Sequence, residues 1–227
     1  MVTYMEIIGT VHTNFPEKFG IPRQSALISN IKSTITFEPK YRQPEAFRGL
    51  DEYEYIWILF SFHKSIRKEF NATVKPPRLG GNTPMGVFAT RSPYRPNNIG
   101  LSSVKLERIE YDPSIGPILH ILGADMVDGT PVIDIKPYLP YTDSHADAKA
   151  GFSDIVLDHH LDVIIPDEIK GRYDATLIAD LINILSEDPR PGYKWASNDE
   201  FGVSYANVNV RFTVSDCILK VVSITDI

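Results

Sequence analysis

Hydrophobic and polar positions alternate in short runs along most of the chain, and runs of that length favour strands over helices. Val2 to Val11 alternates loosely and predicts a first strand, with Ile35 to Phe37 a short second one. Tyr55 to Phe62 reads YIWILFSF and is apolar at nearly every position, which predicts a central strand buried on both faces. Met85 to Ala89 and Leu101 to Ile109 predict two more strands around a Pro- and Asn-rich loop. Ile118 to Leu122 follows the turn DPSIGP and suggests a hairpin. Pro131 to Ile135 is a further strand. Many short strands closed by Pro/Gly turns predict a mainly β fold, a small barrel or sandwich.

The pattern changes near residue 142, where TDSHADAKAGFSD is small and polar and marks a boundary. Two domains are expected, 1–145 and 146–227. In the second, Leu177, Ile178, Leu181, Ile182 and Leu185 recur at helical spacing. Asp174 is the expected N-cap and Asp188-Pro189 the stop. Ala206 to Val214 and Cys217 to Ile224 read as strands, so the second lobe is a small α+β unit.

Composition narrows the class. The chain has 227 residues, 43% of them hydrophobic, and no apolar run long enough for a membrane helix. No basic-then-apolar leader opens it. One cysteine, Cys217, leaves no internal disulfide and no cysteine zinc cage. His159-His160 is the one close histidine pair, and adjacent residues point apart, so no metal site is expected. A cytoplasmic protein is the reading. The net charge of −6 speaks against indiscriminate binding to DNA or RNA. The charge is uneven, however. Between His63 and Arg95, seven basic side chains face the single acid Glu69, while Asp143 to Asp188 carries eleven acids against three bases. Either both segments are solvated faces, or a basic site for an anionic ligand lies beside an acidic lobe.

No dinucleotide-binding glycine fingerprint, phosphate loop or nucleophile elbow is present. Four loops stand out instead. IPRQ (Ile21 to Gln24) sets an arginine and an amide in a proline-fixed turn. FHK (Phe62 to Lys64) ends the most apolar strand. RSPYRPNNIGL (Arg91 to Leu101) holds two guanidinium groups on a stiff loop. VDGTP (Val127 to Pro131) packs a carboxylate, a glycine and a hydroxyl into one turn. Such loops converge on a ligand when they share one end of a barrel.

IPRQ, RGLDEYEYIWILFSFH, VKPPRLGGNTPMGVFATRSPYRPNNIGLSSVKL and DMVDGTPVIDIKPYLPYTDS resemble the TsaA-like, TrmO family. The resemblance is dense over about residues 4 to 145 and continues through EDPRPGY and NVNVRFTV. It implies a non-Rossmann β-barrel methyltransferase, acting as a homodimer. The implied reaction transfers a methyl group from S-adenosylmethionine to N6 of threonylcarbamoyladenosine at position 37 of tRNA.

The resemblance assigns the cofactor to Pro22, Arg23, Gln24, His63, Lys64, Arg91, Leu101, Asp128, Gly129, Thr130 and Pro131. Arg23 or Arg91 suits the cofactor carboxylate, since a guanidinium binds one with two parallel hydrogen bonds. Asp128 suits the ribose hydroxyls or the ammonium, Gly129 a close backbone approach, and Leu101 the adenine face. Lys64 contributes by side chain or by backbone. No residue declares itself as a base for the N6 proton; His63 and Asp128 are the candidates. Arg95 is expected to face RNA or the threonyl carboxylate, and Arg67, Lys68, Lys75 and Arg78 the phosphates. Asp188, Arg190, Tyr193, Asn209 and Arg211 belong either to the substrate side or to a dimer-supporting lobe with buried ion pairs. Two other activities fit the same loops: a methyltransferase for another substrate, and a non-catalytic S-adenosylmethionine sensor or adaptor.

Overall fold

The computed structural model describes residues 4–67, 69–79, 81–156, 159–197 and 199–227, without the side chains of residues 78 and 154–156. Its first strands, in chain order, are β1 (Gly9–His12), β2 (Lys32–Phe37), β3 (Tyr55–Ser61), β4 (Thr73–Val74), β5 (Met85–Gly86), β6 (Ile99–Asp112), β7 (Gly116–Leu122) and β8 (Thr130–Pro137). Six of them close into an antiparallel barrel in the order β1-β2-β7-β6-β3-β8. The barrel is filled by the inward set of each strand. Val11, Ile35, Phe37, Ile56, Ile58, Phe60, Val104, Leu106, Leu119, Ile121 and Val132 are all buried together. This is the period-two pattern at work, because successive side chains point to opposite faces.

Three expectations need correction. The first strand is only Gly9–His12; residues 4–8 precede it without regular structure, and residues 1–3 lie outside the described residues. β3 is not buried on both faces. Ile56, Ile58 and Phe60 point into the barrel, while Trp57 and Leu59 are half-covered on its outside. Trp57 explains how an apolar outer face is kept. Its ring packs on Tyr138 at 5.5 Å, and its Nε1 donates to Asp143 Oδ2 at 2.7 Å, on the short helix α1 (Pro140–Asp143). Finally, Met85 to Ala89 is a two-residue strand followed by a 3-10 turn at Val87–Ala89.

The DPSIGP hairpin forms as expected. Asp112 Oδ1 accepts from the Ser114 amide at 2.7 Å, the Ser114 hydroxyl at 2.6 Å and the Ile115 amide at 3.0 Å. A carboxylate that satisfies the turn's own donors fixes the turn without a partner elsewhere.

The second unit is a four-stranded sheet, β9 (Asp162–Ile164), β10 (Phe201–Tyr205), β11 (Val208–Ser215) and β12 (Ile218–Asp226), in the order β10-β11-β12-β9. With it go the short helix α2 (Asp167–Lys170) and the longer α3 (Ala175–Ser186). Asp174 caps α3 by accepting from the Thr176 amide at 2.8 Å, and Ile178, Leu181, Ile184 and Leu185 are its buried face. β9 and β10 were not foreseen, for β9 is only three residues long and β10 carries a glycine at its second position.

The two units interleave along the chain. The barrel unit takes the chain up to Thr13, Arg23–Val74 and Pro84–Ser144; the second takes Asn14–Pro22, Lys75–Thr83 and His145–Ile227. Phe15 shows what the first of these excursions does: it is fully buried and packs on Tyr205 at 5.1 Å within the second unit.

Gly100 gives a direct test of barrel packing. A Cβ there would come within 2.2–2.7 Å of three Phe60 ring carbons. Phe60 is 3% exposed and has no room to retreat. Gly100→Ala should cost about 1–3 kcal/mol, visible as a lower Tm in scanning calorimetry; an unchanged Tm would show that the ring has another place to go. Asp174→Ala should lower the midpoint of urea unfolding through the lost cap.

Candidate active site

Strand parity brings the singled-out loops together. In a closed antiparallel barrel, alternate connections emerge at alternate ends. β1 ends, β2 begins, β3 ends, β6 begins, β7 ends and β8 begins at the same end. The connections there are residues 13–31, 62–98 and 123–129, which hold Arg23, Gln24, His63, Lys64, Arg91, Arg95 and Asp128. Leu101 and Thr130 to Pro131 open the strands that start there.

The loop Arg91 to Asn98 is held by its own atoms. The Thr90 hydroxyl donates to the Val87 carbonyl at 2.9 Å, and the Ser92 amide donates to the Thr90 hydroxyl at 3.3 Å. Arg95 is half-buried, and its Nη1 donates to the Thr90 carbonyl at 2.7 Å and to the Val87 carbonyl at 3.4 Å. Its guanidinium braces the loop by tying residue 95 back to the backbone of residues 87 and 90. Asn98 has a φ of 47°, within reach of asparagine. Its Nδ2 donates to the Pro93 carbonyl at 2.8 Å and the Ser65 carbonyl at 3.3 Å, and its carbonyl accepts the Phe62 amide at 2.8 Å. The His63-Lys64 turn is thereby tied to the arginine loop.

Arg91 is exposed, and its Nη1 donates to Gln24 Oε1. The Gln24 amide in turn donates to the Arg23 carbonyl at 2.5 Å. His63 has its pKa lowered, first by burial and then by the charge on Lys64, so its ring is neutral at neutral pH and available as an acceptor. Leu101 is 54% exposed on the outer side of β6, opposite Leu59, an unusual exposure for a leucine beside such polar loops. Arg67 lies over the Tyr94 ring at 3.7 Å.

The VDGTP turn is largely self-satisfied. Asp128 Oδ1 accepts from the Thr13 amide at 3.0 Å, with His12 Nδ1 at 3.9 Å. Gly129, at φ 76°, donates its amide to the Val11 carbonyl at 3.0 Å. The buried Thr130 hydroxyl donates to the Val127 carbonyl at 2.6 Å, which commits its proton to the turn. Pro131 pairs with Thr10 across β1 and β8. Pro22 is buried and belongs to the second unit.

The sequence reading missed Asp125. It is half-buried, and its Oδ1 accepts from the Ser102 hydroxyl at 2.5 Å. Burial pushes its carboxyl pKa up, opposed by Ser102, by the amides of Asp125 and Ser25, and by the charge on Arg91. Nothing in GADMV announces a site. The signal lies in the backbone: Gly123, at φ 77°, would place a Cβ 3.2 Å from Ala26 Cα, and this close approach brings residue 125 to the IPRQS loop.

Most of the substrate candidates in the second unit are engaged within it. Asp188 and Arg190 are 0% and 2% exposed and joined by two bonds, Nε to Oδ1 at 2.8 Å and Nη2 to Oδ2 at 2.9 Å. Arg190 Nη1 also donates to the Trp195 carbonyl at 3.2 Å. His159 Nε2 meets Asp188 Oδ2 at 2.7 Å and stacks on Trp195 at 4.0 Å. Asp188 and Arg190 are therefore buried and paired with each other. Asn209 Nδ2 donates to Ser204 Oγ at 3.3 Å, and Arg211 pairs with Glu200 at 2.9 Å. Tyr193 is 63% exposed, and Lys75 is exposed. Lys68 and the side chain of Arg78 lie outside the described residues. Among those residues no cluster of three or more His, Cys, Asp or Glu could hold a metal ion, and no helix is long and apolar enough to cross a membrane.

A closed antiparallel barrel that gathers a guanidinium, two carboxylates, a neutral imidazole and an exposed leucine on stiff loops at one end defines a β-barrel binding class, outside the Rossmann enzymes. The chain belongs to the tRNA-methyltransferase O family: the model of its N-terminal domain matches residues 10–144, and that of the TrmO C-terminal domain residues 161–227. It is 40% identical over 223 residues to the tRNA (adenine(37)-N6)-methyltransferase of Escherichia coli, with 93% of each chain covered. It is 41% identical over 212 residues to a putative S-adenosylmethionine-dependent methyltransferase of Pseudomonas aeruginosa, with 90% of each covered. A crystal structure of TrmO from Pseudomonas aeruginosa superposes with a TM-score of 0.79 at 31% identity, covering 99% of both chains.

The buried pair carries a stability prediction. Arg190→Ala leaves Asp188 buried without its partner and should cost about 3–5 kcal/mol, read by chemical unfolding. Burial alone would raise the Asp188 pKa, but the bonds from Arg190 and His159 and the Arg190 charge leave it lowered. A depressed folded pKa means stability that is present above the unfolded pKa and lost as pH falls through the folded one. The wild type should hold this contribution until the pH drops below the usual carboxylate range.

Proposed function

We propose that this protein is an S-adenosylmethionine-dependent methyltransferase acting on N6 of adenine 37 in tRNA, and that its substrate carries threonylcarbamoyladenosine there. The observation that carries the reading is the meeting of Arg91 and Gln24 at the barrel end that also holds His63, Leu101, Asp125 and Asp128. The donor set suits the cofactor. A guanidinium matches its carboxylate, the Asp128 carboxylate matches its ammonium or ribose hydroxyls, and Leu101 offers an apolar face to adenine.

S-Adenosylmethionine supplies a methyl group activated by its sulfonium. The protein's task is alignment and proton handling. Stiff loops hold the binding groups in place before ligands arrive, and positioning of this kind can contribute up to about 7–11 kcal/mol. His63, kept neutral, can accept a hydrogen bond or the N6 proton. The exposed side chains of Lys64 and Arg67 supply positive charge for anticodon-loop phosphates. Ile66, Phe70 and Phe88, at 71%, 61% and 74% exposure, support assembly as a homodimer. The cytoplasm, where tRNA is processed, is its place of action.

The deciding experiment incubates the protein with methyl-labelled S-adenosylmethionine and two tRNA pools, one bearing threonylcarbamoyladenosine at position 37 and one lacking it. Label should enter the modified pool alone. Label in neither pool, with cofactor binding intact by calorimetry, would overturn the substrate assignment. Arg91→Ala should weaken cofactor binding by about tenfold or more. Affinity for tRNA should fall steeply between low and moderate salt; a flat response would remove the phosphate contacts from the reading.

A further inference from the structure

We infer that Asp125 is the positioning residue of the cofactor pocket, its carboxylate fixing the start of β6 and the IPRQ loop against the connection that carries Asp128. The inference rests on the cofactor reading of this barrel end. Both bonding partners of Asp125 stand next to a proposed ligand-binding residue. Ser102, whose hydroxyl donates to Oδ1 at 2.5 Å, follows Leu101. Ser25, whose amide bonds to the carboxylate, follows Gln24. Arg91 acts on it through its charge. Asp125 itself stands three residues before Asp128 in the connection from β7 to β8.

The chemistry explains why a carboxylate is needed. An ionised aspartate offers about four lone-pair sites and no donor. It can therefore serve a hydroxyl from β6 and an amide from the IPRQS loop at once. Asparagine keeps one accepting oxygen and turns an NH2 group toward those donors. Ser102 is 3% exposed, so the bond it makes is sheltered from competing water. Gln24, next to Ser25, in turn accepts a hydrogen bond from Arg91 Nη1, so the loop that Asp125 holds is the loop that seats the guanidinium. A guanidinium has five N–H donors, and those left over stay available for a ligand carboxylate.

The test is calorimetric titration of S-adenosylmethionine into the wild type, Asp125→Asn, Ser102→Ala, Arg91→Ala and the Asp125→Asn/Arg91→Ala double variant, with tRNA affinity and Tm measured beside it. Asp125→Asn should weaken cofactor binding about tenfold, and Ser102→Ala by a smaller factor. The double variant should be little weaker than Arg91→Ala alone, since both residues act through one seat. Affinity for tRNA should stay within about twofold of the wild type, and in turnover the change should appear in the cofactor KM rather than in kcat. Cofactor affinity within twofold of wild type in both single variants, or a double variant whose losses multiply in full, would overturn the inference. If Asp125→Asn does not fold, the milder Ser102→Ala decides alone, and unchanged affinity there counts against the proposal. A wild type that binds no S-adenosylmethionine would remove the cofactor reading and this inference together; a wild type that binds while the variants match it removes only this inference.

Discussion

Closure of the six-stranded barrel is the constraint on which everything else depends. Each barrel strand is hydrogen-bonded on both sides, so no edge remains open and every strand has a fixed direction. With alternating directions, the three longest-range decisions of the chain follow by parity. The segments 13–31, 62–98 and 123–129 must all emerge at one end, whatever their sequences. The opposite end is left to the Asp112–Gly116 hairpin and to the 38–54 connection, where Phe47 packs edge-on against Phe37 at 4.7 Å and plugs the interior. Binding groups are thus separated from core-filling groups by topology alone.

The sequence was most legible where one physical rule dominated. Helix α3 declared itself by apolar spacing and by Asp174, because both signals are local and agree. The barrel strands declared themselves by period-two runs. Reading went wrong where the covering partner was distant in sequence. Nothing in YIWILFSF shows that Trp57 lies outside the barrel, since its cover is Tyr138 and its hydrogen-bond partner Asp143. The site behaves likewise. Arg91 and Gln24 were recognised from their loops, and they meet. The bracing bonds of Arg95 were not legible, because its partners, the carbonyls of Val87 and Thr90, are backbone atoms that the sequence does not distinguish. Asp125 was overlooked for a related reason: its partners, the Ser102 hydroxyl and the Ser25 amide, are distant in the chain.

The bracing of the arginine loop and the buried pair in the second unit use the same side chain in opposite ways. Arg95 spends a charged donor on neutral carbonyls at the half-buried rim of the barrel, where the reward is stiffness. Arg190 spends its charge on a buried carboxylate, where the reward is avoidance of a larger penalty. Arg190 uses the planar fork, two nitrogens on the two carboxylate oxygens, which a lysine cannot reproduce, whereas Arg95 reaches both carbonyls from one Nη1.

The interleaving of the units extends to the gene. Phe15 packs on Tyr205, the Ala206 amide donates to the Asn14 carbonyl at 2.7 Å, and a Cβ on Gly20 would meet Val203 at 3.0 Å. The second unit therefore borrows part of its substance from the loop that also carries IPRQ. A fragment cut as residues 145–227 would lack Phe15 and the strip that packs with it, so the second unit is not encoded by one contiguous stretch of the gene.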